Sequence, residues 1–248
     1  MKRTTFDPTS TNGLVNRMSK ASRESFADAC EEVPLDFEAV IVRQGEPLEH
    51  VYFPLHGYIS QVTKTTGAGL EIALTGNEGM FGLPASLHVP VSQVLAIVQG
   101  PGMALRMTAR RFRLALGKSA PLQSQMNRFT FASLGQLGIA AECAKFHSVD
   151  QRLARWLLMT ADRAHSKMFR MTHQFLAYML GTRRVGITVA ASKLQLQGVI
   201  RYSRGNLEIL DFGRLNAASC SCYRNGVDAY DTAFGPNGRR TSDGPEVR

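Results

Sequence analysis

Apolar positions between Phe37 and Val98 fall in short runs punctuated by glycine and proline: residues 37–42, 50–53, 58–64, 70–74 and 93–98. Runs this short, bounded by turn formers such as Arg43-Gln44-Gly45-Glu46-Pro47, predict strands, and many of them at regular spacing predict a sandwich or jelly roll. Past Ala109 the period becomes helical. Residues 109–116, carrying Arg110, Arg111 and Arg113, predict a surface helix leading out of the strands. Pro121 then opens a longer one reaching about Phe146. In it Leu122, Met126, Phe129, Leu134, Leu137 and Ala141 recur at mostly three- and four-residue steps, as a coiled-coil-like seam requires, to be covered by a second copy or by the chain's own barrel. Residues 150–164 predict a helix burying Leu153, Trp156, Leu157 and Ala161, and residues 22–32 a short amphipathic helix with Phe26 and Ala29 inward. Residues 1–20 are polar and are expected to be a mobile tail, as are residues 226–248.

The stretch from Thr172 to Asp211 carries the densest signal. Residues 172–180 predict a helix with Phe175, Leu176 and Met179 on one face, stopped by Gly181. A second helix is expected from Thr182, whose hydroxyl would cap it, to Gln197, with Gly198 as its stop. Ile187, Ala190, Ala191 and Leu194 follow the spacing of a buried face. Thr182, Arg183, Arg184, Val185, Thr188, Val189 and Ser192 remain to point outward. Residues 199–202 and 207–210 read as strands around Ser203-Arg204-Gly205-Asn206, a hairpin with Arg204 at its tip. Helix, glycine turn, basic helix and hairpin together describe a winged helix-turn-helix, the geometry that places a helix in the DNA major groove. Residues 213–223 would close the domain with a helix.

Charge supports that reading. Residues 148–224 hold twelve Lys or Arg against four Asp or Glu, whereas residues 21–147 hold ten against eleven. A formal excess of +9 concentrated in one segment is an electrostatic footprint for phosphate.

The runs FLAYMLGTRR and KLQLQGVIRYSRGNLEILD, with the SCSCYR that follows, resemble the C-terminal domain of the CRP/FNR family of bacterial transcription regulators; with the glycine-punctuated stretch upstream, the resemblance spans about Ser22 to Arg224. It implies an α+β chain: an N-terminal β jelly roll (double-stranded β-helix) resembling a cyclic-nucleotide-binding sensor over residues 21–116, a long dimerisation helix over 117–147, and a winged helix-turn-helix DNA-binding domain over 148–225. The implied partners are double-stranded DNA, a second copy of the chain, an unknown small-molecule effector, and RNA polymerase if the protein activates. A cytoplasmic, homodimeric regulator that is not an enzyme is expected. Arg184 is the candidate for a bidentate guanine contact, with Arg183 and Arg204 nearer phosphate. Where the best-known family pattern has Arg-Glu and a further arginine, this chain has Arg184, Val185 and Val189, so its operator should differ from the usual site.

The same resemblance bears on ligands. Nucleotide-binding relatives use a Gly-Glu helix start and a downstream arginine for the cyclic phosphate. Here the corresponding segment reads Glu78-Gly79-Met80-Phe81-Gly82-Leu83, and residues 71–103 contain no Lys or Arg. An anion without counter-charge is costly to desolvate, so the usual cyclic nucleotides are not expected. His50, His56 and His88, with Glu46 and Glu49, lack the close histidine spacing of a cupin metal enzyme. The cupin enzyme and a haem or metal sensor remain the alternatives. Cys30, Cys143, Cys220 and Cys222 show no paired ligand spacing; Cys220-Ser221-Cys222 is read as structural rather than a metal or redox pair, and only Cys30 lies where the family's iron–sulfur branch keeps its cluster. No catalytic residue, metal site or cofactor is expected. No apolar run approaches the ~20 residues of a membrane span.

Overall fold

A computed structural model describes residues 12–65 and 68–235. Two antiparallel sheets form the N-terminal half. One has the order β1-β7-β3, from β1 (Glu31–Leu35), β7 (Gly102–Thr108) and β3 (His50–Pro54). The other has the order β2-β6-β4-β5, from β2 (Val40–Val42), β6 (Leu95–Gly100), β4 (Tyr58–Thr65) and β5 (Ala68–Thr75). Val51 and Phe53 of the first meet Ile59, Ala96 and Val98 of the second in one core, giving the expected jelly roll. Gly57 makes a corner possible: its φ is +73°, and a Cβ there would lie 2.2 Å from the Gly100 carbonyl oxygen.

The second sheet is apolar on both faces. Val62, Leu95 and Ile97 point away from the jelly-roll core and join the core of the C-terminal half. The seat on that outer face is α5 (Val149–Ala164), whose Trp156 Nε1 donates to Glu71 Oε1 at 2.8 Å. Arg163 near its end lies 2.8 Å from Glu78 in an ion pair only 4% and 6% exposed. On the other side α5 supplies Leu153, Ala154 and Leu157 to the core that it shares with α6 (His173–Met179), α7 (Arg184–Leu196) and α8 (Phe212–Ala218). A small sheet, β8 (Met168–Arg170), β10 (Asn206–Ile209) and β9 (Ile200–Ser203) in the order β8-β10-β9, completes that half.

Between the halves run α3 (Ala109–Lys118) and α4 (Ala120–Phe146), with Ser119 capping α4 and Pro121 in its first turn. The residues expected along one dimer seam divide between the two halves of α4. Leu122, Met126 and Phe129 are buried within the chain, against the jelly-roll core and Tyr230. Leu134, Leu137 and Ala141, with Phe131 and Gly138, lie exposed further along the helix. Three- and four-residue spacing reports that both stripes are apolar, not which of them the chain covers itself.

Other expectations are corrected. The helix expected over residues 22–32 is α2 (Lys20–Asp28), and Glu31 and Glu32 belong to β1 because that segment pairs with β7. Of residues 37–42 only Val40–Val42 are strand, since Glu38 turns the chain with a φ of +65°. Residues 1–11 lie outside the described residues, but the rest of the expected polar tail is anchored. Asn12 caps α1 (Gly13–Asn16) and its Nδ2 donates to the carbonyls of Pro54 and Gly79 at 3.0 and 2.7 Å, while Leu14 and Val15 enter the core. At the other end the expected tail begins as helix α9 (Cys222–Phe234), packed on α4 through Tyr230 and Ala233; residues 236–248 lie outside the described residues. The single closing helix expected over residues 213–223 is thus the pair α8 and α9. Strand β8 escaped sequence reasoning because three residues carry no period.

Glu71 has a measurable consequence. Burial pushes its carboxyl from 4.5 up to about 7, against the opposing pull of the Trp156 hydrogen bond and of Arg163 and Arg155. Between those values the folded chain holds a proton that the unfolded chain has released, so its stability contribution is complete below the lower value and is lost as pH rises through the upper one. Glu71→Gln should therefore raise the unfolding free energy at pH 8 by on the order of 2–3 kcal/mol relative to the parent, with the difference vanishing near pH 4; urea titrations at the two pH values check it.

Candidate nucleic-acid interface

Thr172 caps α6, its Oγ1 accepting from the Phe175 N–H at 3.1 Å. The helix ends at Gly181, whose φ of +57° turns the chain into α7. Arg152 of α5 donates to the Leu180 carbonyl and fixes this turn from beneath. Ile187, Ala190, Ala191 and Leu194 are all buried, the inward face read from the sequence. Thr182 is not the cap: Arg183 occupies that position, with extended backbone and no side-chain hydrogen bond to the helix. The first turn of α7 thus keeps its amides unspent by a side-chain cap, beside two arginines.

The outward residues are placed as the spacing requires. Arg183, Arg184, Thr188 and Ser192 are exposed, Val185 and Val189 are 72% and 65% exposed, and Thr182 is half-buried. Thr188 has a second task. Its hydroxyl donates to the Arg184 carbonyl at 3.1 Å and lies 3.0 Å from His173 Nδ1. The His173 ring stacks on Tyr202 with centroids 4.6 Å apart, and the Tyr202 hydroxyl donates to the Met171 carbonyl at 2.8 Å. The Tyr202 N–H also donates to Gln195 at 2.8 Å, so recognition helix, first helix and wing are locked to one another. Burial, then Arg184, lowers the His173 pKa from 6.5, which favours the neutral ring beside that arginine. Burial raises the Tyr202 hydroxyl.

The wing is a two-residue hairpin. Ser203 pairs with Asn206, and Arg204 and Gly205 both have positive φ, 50° and 81°, as a type I′ turn requires. Arg204 is exposed at its tip. Not every cation on this side is available to phosphate. Lys193 is held 2.6 Å from Asp150, whose carboxyl it and Ser148 depress to about 2, and Arg201 and Lys167 share Glu208. Among the described residues Arg183, Arg184 and Arg204 make no ion pair.

Sequence reasoning read Cys220-Ser221-Cys222 as structural and did not join it to Cys143 and His147. Cys143, His147, Cys220 and Cys222 converge at the far end of α4, although their spacing along the chain shows no paired ligand pattern. The available signal was Cys-x-x-x-His at the end of one helix and Cys-x-Cys at the start of another; only the packing of α9 on α4 joins the two. By contrast His50 and His88, candidates for a cupin site, form no such group among the described residues.

A two-helix unit with an exposed basic second helix and an adjoining hairpin wing defines a winged helix-turn-helix DNA-binding protein. Residues 151–218 match the Crp-like helix-turn-helix domain family. No curated protein matches the chain. Solved structures with the same fold include FixK2 from Bradyrhizobium japonicum, with a TM-score of 0.65 at 18% identity over 77% of this chain and 98% of that one. The c-di-GMP responsive global regulator CLP of Xanthomonas campestris gives 0.65 at 16% identity, over 78% and 100%. TTHA1359, a CRP/FNR family transcriptional regulator from Thermus thermophilus, gives 0.63 at 18%, over 76% and 98%. Residues 151–218 thus form a Crp-like helix-turn-helix domain, the chain as a whole shares the fold of these solved structures, and the cupin-enzyme alternative is not favoured.

Gly186 lies within the recognition helix. A Cβ there would meet Thr182 Oγ1 at 3.4 Å and the Val149 methyls at 3.7 Å, ordinary contact distances, so packing does not demand glycine. Gly186→Ala should stabilise the domain by up to about 1 kcal/mol, read as a raised melting temperature.

Proposed function

We propose that the chain acts as a homodimeric, sequence-specific regulator in the cytoplasm, with residues 21–116 as sensor, 117–147 as dimerisation helix and 148–225 as reader. The observation that carries the reading is the outward face of α7, where exposed Arg183 and Arg184 stand beside exposed Val185 and Val189 within one domain that also presents Arg204. Arg184 offers a fork to a guanine edge, Val185 and Val189 offer apolar contact to thymine methyls, and Arg183 and Arg204 meet phosphates. Thr182 and Ser192 border the same surface.

The dimer seam is the exposed stripe of α4: Phe131, Leu134, Leu137, Gly138 and Ala141. Phe131 and Leu134 are each about 60% exposed, and Gly138 has open space over its Cα, so a second helix can approach closely. Two-fold pairing along α4 supplies the two half-site readers that such operators need.

The effector is not a usual cyclic nucleotide. Glu78, at the position of the phosphate-binding segment, is spent on Arg163, and a Cβ on Gly79 would lie 2.7 Å from the Phe129 ring. That segment is packed against α4 and α5, and no Lys or Arg between residues 71 and 103 supplies a counter-charge. Contact with RNA polymerase follows only if the protein activates.

Selection of bound fragments from a genomic DNA pool, followed by titration of variants, tests the reading. Arg184→Ala should cost about 1–3 kcal/mol, mostly at one base position, whereas Arg204→Ala should weaken binding to all duplexes alike and flatten the salt dependence. Equal losses on selected and random DNA for Arg184→Ala would refute its assignment. Leu134→Glu should shift the sedimentation of the protein from dimer to monomer; a dimer unchanged at micromolar concentration would move the interface elsewhere.

A further inference from the structure

The four side chains at the end of α4 form a group that DNA reading does not use. Cys143 and His147 stand one helical turn apart, i and i+4, at the end of α4 and its cap. Cys220 lies in the link between α8 and α9, and Cys222 opens α9. The three cysteines are buried free thiols and His147 is half-buried. Their four potential ligand atoms all lie within 4.8 Å of one another.

We propose that Cys143, His147, Cys220 and Cys222 bind one thiophilic divalent cation, Zn2+ by its chemistry, as a closed tetrahedral structural site. Metal–sulfur bonds of about 2.3 Å and metal–nitrogen bonds of about 2.0–2.1 Å give a tetrahedron with sulfur–sulfur edges of about 3.8 Å and sulfur–nitrogen edges of about 3.6 Å. The Cys143 and Cys220 sulfurs are 3.6 Å apart, and the Cys222 sulfur is 3.5 Å from His147 Nδ1. Three sulfurs and one imidazole leave no open position for substrate, the pattern of a structural zinc rather than a catalytic one. So compact a set fits a single ion better than an iron–sulfur cluster, whose ligands are spread over more than one iron.

Charge balance agrees. Binding converts three thiols to thiolates and releases three protons, so the loaded site carries one net negative charge. Arg155 is only 9% exposed, its Nε has no hydrogen-bond partner among the described residues, and its charge acts on both Cys143 and Cys222. Arg152 has Cys143 and Cys220 within electrostatic reach. These arginines of α5 supply the counter-charge that an anionic metal centre needs in a buried place. The site fastens the end of α4 to the last helices of the DNA-binding half, at the point where α4 gives way to α5.

The test uses the full chain, purified with reductant and without chelator. Elemental analysis should find about one zinc per chain. Metal-stripped protein titrated with Co2+ should develop thiolate-to-cobalt charge-transfer bands and the intense visible bands of tetrahedral cobalt, saturating at one equivalent. Cys222→Ser should weaken Co2+ binding at least about tenfold, while Cys30→Ser, outside the cluster, should leave it unchanged. Because a ligand variant can lose its fold, the titration of the unaltered chain decides the matter. A folded parent protein that carries no zinc and gives no tetrahedral cobalt spectrum overturns the proposal. So does a Cys143–Cys220 disulfide as the isolated form with no metal uptake after reduction, or an iron–sulfur chromophore in its place. None of these readouts involves DNA, so this site and the DNA-reading assignment stand or fall separately.

Discussion

Helix α5 has almost no free surface, and the arrangement of the whole chain follows from that. One side fills the core of the winged helix-turn-helix with Leu153, Ala154 and Leu157. The other lies on the outer face of the β2-β6-β4-β5 sheet, where Trp156 reaches Glu71 and Arg163 reaches Glu78. Such contacts are poor sources of net stability, because desolvating the charges offsets much of the attraction. They are good sources of position: a buried guanidinium without its carboxylate is penalised heavily, so few placements of α5 on the sheet are tolerated. The winged helix-turn-helix is therefore seated on a sheet of the jelly roll, and Gly69 and Leu70 of β5 touch Tyr178 and Gly181 next to α7.

This seating gives a physical route from the jelly roll to the winged helix-turn-helix. The loop at Glu78 and Gly79 grips α5 and lies under Phe129 of α4. Anything that alters the loop around Glu78 acts on both helices at once. Within the winged helix-turn-helix, the Thr188, His173 and Tyr202 contacts keep α7 and the wing in fixed register, so the arginines are presented on a stiff support. The cysteine and histidine cluster lies at the opposite end of α5, where α4 ends and α9 begins, and ties the same pieces together from the other side.

Patterns of period two and period three to four, and the glycines that interrupt them, made much of this legible in the chain itself. The jelly-roll strands, the helix beginning near Pro121, the α6-Gly181-α7 unit, the Arg204 hairpin and the outward set from Arg183 to Ser192 follow from local rules. Those rules hold because a buried face must repeat at the pitch of its element, and because positive φ at Gly181 and Gly205 favours glycine. The concentration of positive charge after residue 148 needs no coordinates either.

Tertiary structure alone decided what distant segments do to one another. That Leu122, Met126 and Phe129 turn inward while Leu134 and Ala141 stay exposed depends on where the jelly roll and α9 press on α4, and both stripes are equally apolar in the sequence. Leu14, Val15 and residues 226–234 looked like tails because their neighbours are polar, yet each finds a surface to cover. Cys143 and Cys220, seventy-seven positions apart, become neighbours only when α9 packs on α4. A local pattern reports how much apolar surface a segment offers; what meets that surface is settled by the rest of the fold.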